Sequence, residues 1–135
     1  MHPNHVGDET KAMKSTIGSD TPAINTDELI ERMMGSAQMA QRMLDKFVDA
    51  SVVDCDELES IVRMGSTADI TSLAHRHKGT AKTMAAPRVA SIAEAIESRA
   101  ATDPTSELLD LVDQLRASHR EIRELVSTGI CESSD

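Results

Sequence analysis

The stretch Ser72 to Pro87, SLAHRHKGTAKTMAAP, concentrates the residue types that do chemistry. His75 and His77 stand one residue apart, Lys78 and Gly79 follow, and Lys82 comes three residues later. An imidazole near neutral pH can ligate a metal, move a proton or act as a nucleophile. Helical geometry separates these options. With Ile70 set at zero and an advance of about 100° per residue, Leu73, Ala74, His77, Ala81 and Met84 fall on one apolar arc. His75 falls about 140° away, on the side of Gly79 and Lys82. Residues two apart do not share a helix face, and helical metal pairs use i, i+4 spacing. The two histidines are therefore not a metal pair, and no metal or other cofactor is expected. His75 faces water and His77 faces the core.

The surroundings of His75 are specific. Gly79 sits one turn on, directly beside the imidazole. A glycine inside a helix costs about 0.5–1 kcal/mol relative to alanine, so its position points to a need for clearance, through which a second molecule reaches the ring. Between Thr67 and Ala90 there are four basic residues, Arg76, Lys78, Lys82 and Arg88, against one acid, Asp69. A phosphoryl group accepted by the imidazole would be stabilised by such cations. An ordinary surface histidine among solvated lysines is the simpler reading, and the Lys78–Gly79 pair argues against it.

The elements that must position this stretch are helical throughout. Thr26 or Asp27 caps a short helix ending at Gly35, and Ser36 caps a long segment to Met64 with a stripe at Ala40, Leu44, Phe47, Val48, Ser51, Cys55, Leu58 and Val62. Gly65 stops it, and Ser66 or Thr67 starts the helix of His75. Pro87 suits the first turn of the next, PRVASIAEAIESRAA. After TDPT, a last helix from Thr105 or Ser106 carries Leu108, Leu111, Val112, Leu115, Ile122 and Val126, and Gly129 closes it. No segment alternates with period two. Short connections imply antiparallel neighbours, so the expected fold is all-α: an up-down antiparallel four-helix bundle over residues 26–130 with a short additional N-terminal helix. Residues 1–25 read as a disordered tail by composition, and 131–135 as a C-terminal tail. Their His2 and His5 offer a minor alternative, a histidine-based metal tail. The methionines of the MMG…M…M segment and the acidic runs DCDELE and SELLDLVD read as core and as solvated faces respectively.

Bulk properties exclude several roles. The 135 residues include no Trp, no Tyr and one Phe, with a formal net charge of −9. Such a chain lacks stacking platforms for single-stranded nucleic acid and is repelled by phosphate backbones and anionic membranes. No apolar run approaches the roughly 18–20 residues of a membrane span, and MHPNHVGDETKAMKST contains no secretory h-region. Cys55 and Cys131 fit no zinc or redox spacing. A cytoplasmic protein with reduced thiols is expected.

Ala74, His75, Lys78, Gly79 and Ala86 in AHRHKGTAKTMAAP stand where the histidine-containing phosphotransfer (HPt) family places an alanine, its phosphorylated histidine, a lysine, a glycine and an alanine. The flanks resemble that family as well: MMGSAQMAQRMLDKFVD with Gly35 and Phe47, Gly65 ten residues before His75, and VASIAEAIE ending at Glu97. The resemblance covers residues 27–126. Two residues depart from it. His77 stands where the family usually has Leu, and Ala85 where it often has Gly; Ala85 is expected to cost little at a helix end. A buried His77 needs hydrogen-bond partners, and His119, on the apolar side of the last helix, is the candidate.

The resemblance implies a phosphocarrier rather than an enzyme. His75 would take a phosphoryl group from an aspartyl phosphate on a receiver domain and pass it to another. Lys78 and Lys82 would stabilise charge and Gly79 would provide clearance. The partners implied are the receiver domains of a hybrid sensor kinase and of a response regulator. Receivers of this kind bring the Mg²⁺ and catalytic carboxylates, and HPt proteins of this type are usually monomers. No general base is evident beside His75. The docking surface would surround His75, with Val53, Ala68, Thr71, Arg76 and Thr83 as candidates. An HPt-like adaptor that binds a receiver or kinase without carrying phosphate is the alternative. A histidine kinase is not expected, since the six glycines are scattered and no residues remain here to build an ATP-binding domain.

Overall fold

The computed structural model describes residues 21–129, and these form five helices with no strand among them. They are α1 (Thr26–Arg32), α2 (Ala37–Met64), α3 (Thr67–Thr83), α4 (Pro87–Arg99) and α5 (Thr105–Thr128). Of the tails expected at 1–25 and 131–135, residues 1–20 and 131–135 lie outside the described residues, with His2, His5 and Cys131 among them. Residues 21–25, which composition assigns to the tail, belong to the bundle. Ala23 and Ile24 are buried, and the Asn25 side chain, rather than Thr26 or Asp27, caps α1 by accepting from Glu28 N–H at 3.0 Å. Two apolar residues are too few to show a period, so composition alone could not assign them.

Helices α2 to α5 pack in a closed ring, each against the next and α5 back against α2, which is the up-down four-helix bundle. Gly65 lets the chain reverse after α2 because it adopts φ 74°, the left-handed conformation that suits glycine. The α3–α4 reversal uses Ala85 instead, at φ 56°. A side chain in that region costs on the order of 1 kcal/mol, so the exchange of glycine for alanine is not free, contrary to the expectation from sequence. The turn is held from outside: Ala85 C=O accepts from Asn25 N–H at 2.7 Å, and Arg32 donates to the carbonyls of Lys82 and Thr83. Pro87 then begins α4 at its first turn.

The core is aliphatic, with Leu44, Leu58, Ile70, Ile92, Ile96, Leu115 and Ile122 essentially shut from water. Every position expected on the α3 stripe is buried: Ile70, Leu73, Ala74, His77, Ala81 and Met84. The methionine-rich segment departs from expectation. Met33 and Met43 pack partly against the core, but Met34 and Met39 are exposed. No described helix is long and apolar enough to cross a membrane.

Candidate functional site

The middle of α3 presents its two imidazoles to opposite environments. The His75 side chain keeps 66% of its exposure and that of His77 only 2%. The helix phase that separates them is set by the apolar stripe, since burying Ile70, Leu73, Ala74 and Ala81 leaves His75 outward by geometry alone.

His75 is tied by one nitrogen. Its Nδ1 lies 2.8 Å from Oε2 of Glu97 on α4. The other oxygen of that carboxylate, Oε1, lies 2.9 Å from Lys78 Nζ. Hydrogen bonding from Lys78 first, and from His75 next, holds the Glu97 carboxyl below its ordinary value, and Glu97 in turn raises Lys78. An ionised carboxylate can only accept, so Nδ1 carries the proton and donates it to Glu97. The lone pair is thereby placed on Nε2, which has no partner among the described residues. The ring is thus a fixed tautomer with a free nucleophilic nitrogen.

Glu97 is the partner of His75 and Lys78 that sequence reasoning missed. The signal was present in the turn: α3 and α4 are antiparallel about Ala85, so His75, ten residues before it, lies level with residues about ten after it. Reflection alone does not choose between Glu94 and Glu97.

The other sequence candidates fall into two groups. Lys78 and Gly79 join His75 directly, Lys78 through Glu97 and Gly79 through space: a Cβ built on Gly79 meets no neighbouring group within 4 Å among the described residues. Lys82 is exposed on the same side. The cationic patch counted along the sequence is largely compensated in space. Lys78 pairs with Glu97, Arg76 with Asp54 at 3.3 Å and Arg88 with Glu121 at 2.5 Å. Lys82 alone of the four has no carboxylate partner among the described residues. Of the docking candidates, Val53 is 65% exposed, Ala68, Arg76 and Thr83 are exposed, and Thr71 is half-buried.

His77 does find His119, with their Nε2 atoms 2.8 Å apart. Its Nδ1 lies 2.9 Å from Asp54 Oδ2, so Asp54 turns partly inward, although the run DCDELE read as a solvated face. The two rings pack around Phe47, the only aromatic carbocycle in the chain, at centroid distances of 6.1 and 5.0 Å. No group of three or more possible metal-ligating side chains occurs among the described residues.

The ring of antiparallel helices thus presents one exposed imidazole, tied at Nδ1 and open at Nε2. The Hpt domain family model matches residues 42–125, well over half of the chain, and the chain belongs to that family. Such domains serve histidine phosphotransfer in phosphorelays, act as phosphocarriers without kinase activity, and interact with receiver domains. Searches of curated proteins and of solved structures returned no match.

Proposed function

We propose that His75 is the phosphorylated residue, and that this chain shuttles a phosphoryl group between a receiver of a hybrid sensor kinase and that of a response regulator. The observation that carries this reading is the 2.8 Å contact between His75 Nδ1 and Glu97, with Nε2 left free. In the forward step the Nε2 lone pair attacks phosphorus. The N–P bond forms as the bond from phosphorus to the aspartyl oxygen breaks, and the electron pair leaves on that aspartate. Nδ1 keeps its proton throughout, so no general base is required. The phosphorylated ring is cationic, and the Glu97 carboxylate lies against it. Lys82 is the unpaired cation available to the phosphoryl oxygens, while Lys78 holds Glu97 in place and adds positive charge. Gly79 leaves room for the incoming aspartyl phosphate.

Docking on the α2–α3 face fits this chemistry. Contacts from Asp54 to Arg76 and His77 set Val53 level with the middle of α3. Val53, Ala68, Thr71 and Thr83, with Arg76, are the proposed docking residues along this face on either side of His75, with Val53 and Ala68 supplying its apolar part. In this reading the protein works as a cytoplasmic monomer.

The test uses a receiver carrying labelled aspartyl phosphate. Acid-labile, alkali-stable label is expected on the wild type and on His77→Ala, and none on His75→Gln. Label on His75→Gln would sink the assignment. Binding of the receiver without label on any form would establish the adaptor role instead.

A further inference from the structure

On the side of the bundle formed by α2 and α5, a cavity of about 120 Å³ opens between the helices. Its α5 wall is Arg116, His119, Arg120 and Arg123, at helical spacing on one face, and its α2 wall includes Ser51 and Cys55. His119 is 4% exposed and its Nδ1 is a buried atom without a hydrogen-bond partner. Every other polar atom of the two core imidazoles is satisfied, and a buried polar atom left alone is uncommon in folded proteins.

The hydrogen-bond chain fixes what that nitrogen can do. With Asp54 accepting from His77 Nδ1–H, the His77 lone pair lies on Nε2 and must be met by a donor. His119 Nε2–H is that donor, at 2.8 Å. The Nδ1 of His119 is therefore an acceptor. Burial, reinforced by His77 and Arg123, pushes His119 down to about 3, which keeps it neutral and keeps that lone pair available. The neighbouring guanidiniums supply the opposite character. Arg116 is occupied by Asp56, Glu59 and the Cys55 carbonyl. Arg120 and Arg123 have no carboxylate partner among the described residues, although Asp45 and Asp49 share an adjoining cleft with Arg123. Burial raises the Cys55 thiol to about 11, so it stays protonated and adds no negative charge.

Two free guanidiniums beside one buried acceptor call for an anion that also carries a hydrogen. Guanidinium matches tetrahedral and planar oxyanions through paired N–H donors, and the acceptor needs an O–H. We propose that this cavity binds a small hydrogen-bearing oxyanion of the phosphate class, with its P–O⁻ oxygens on Arg120 and Arg123 and its P–O–H on His119 Nδ1. The site lies on α2 and α5, apart from His75, and does not depend on phosphotransfer. It accounts for an acceptor that would otherwise be buried unmet.

The test is a titration of the full chain, with histidines labelled by nitrogen-15, using sodium phosphate and sodium sulfate at matched ionic strength near pH 7. Sulfate has the same shape and no proton at that pH. A saturable shift of His119 Nδ1 with phosphate is expected, with sulfate binding about tenfold weaker, as for one lost hydrogen bond to a buried group. Arg120→Gln combined with Arg123→Gln alters exposed side chains, is expected to keep the melting temperature, and should weaken phosphate binding by at least about tenfold. Three results would each overturn the proposal. These are no saturable change at His119, equal affinity for the two anions, or phosphate binding that survives the double substitution. A response confined to His75 and removed by Lys82→Gln would do so as well, because it would place the anion at the other face.

Discussion

His75 and His77 share the same first contact and differ in the second. Each places Nδ1 against a carboxylate, Glu97 at 2.8 Å and Asp54 at 2.9 Å, and each is thereby held in the tautomer with its lone pair on Nε2. In His77 that lone pair is spent on His119, inside the bundle. In His75 it meets nothing among the described residues and faces the solvent side of α3. The same carboxylate–imidazole pair is thus a structural strut where the second nitrogen is occupied and a candidate nucleophile where it is free. Hydrogen-bond chemistry alone does not decide the role of an imidazole; the 200° between the two positions on α3 does.

Removing each carboxylate is the sharpest way to break the comparison. Asp54→Ala strips the core pair of its acceptor and leaves His77 Nδ1–H buried without a partner. A lost hydrogen bond to a charged group is worth about 1.5–3 kcal/mol, and the partial exposure of Asp54 argues for the lower half of that range. Stability is expected to fall by about 2 kcal/mol in urea unfolding, while labelling of His75 by a phosphorylated receiver persists. Loss of labelling in a variant that still folds would show that the core pair does more than hold the bundle.

The core arm also titrates. His119 has a folded value near 3, below its ordinary 6.5. The unfolded chain therefore binds a proton that the folded chain refuses, and stability that is full above about pH 6.5 falls as the pH drops toward 3. The slope from this one group is on the order of 1 kcal/mol per pH unit. The groups around it are His77, linked to Asp54, and Arg123. His119→Leu is expected to be less stable at pH 7.5, because it deprives His77 Nε2 of its donor. Its stability should decline less steeply than the wild type between pH 6 and pH 4.5. Parallel slopes for the two proteins would show that His119 titrates normally.

On the exposed arm the expected effect is on rate. Glu97→Ala removes the acceptor that fixes the tautomer of His75, and transfer should slow about tenfold, the equivalent of one hydrogen bond to a charged group. Glu97→Gln can still accept from Nδ1–H through its amide oxygen and should lie between the two. Neither is expected to change stability as much as Asp54→Ala: Glu97 is half-buried like Asp54, but the His75 ring it meets is exposed, so water can replace the lost acceptor. A large loss of stability with unchanged transfer would make Glu97 a strut like Asp54.

The separation of the two histidines was legible in the sequence because it depends only on helix phase. So were the five helices and the order of their apolar stripes. Their carboxylate partners were not legible, because Glu97 and Asp54 come from other helices and their contacts depend on the register of α3 against α4 and α2. The cationic patch was misjudged for the same reason. Counting along the sequence sees Arg76, Lys78 and Arg88, but not the acids that meet them from α2, α4 and α5. Ala85 shows a third kind of loss, since the left-handed turn it occupies usually announces itself through a glycine that is missing here.

Gly79 gives the smallest and most discriminating effect. A Cβ at this position meets no neighbouring group among the described residues, and the backbone is helical, so no left-handed conformation demands glycine. Alanine there should stabilise the bundle by about 0.5–1 kcal/mol through helix propensity. If the space beside His75 exists for an incoming aspartyl phosphate, Gly79→Ala should raise the unfolding midpoint and slow transfer in the same protein, with bulkier residues slowing it further. Opposite signs for stability and transfer would be hard to obtain from a residue that merely ends up on the surface. A variant that is both more stable and as fast as the wild type would remove the clearance role, and would leave the free Nε2 and its fixed tautomer as what distinguishes His75 from His77.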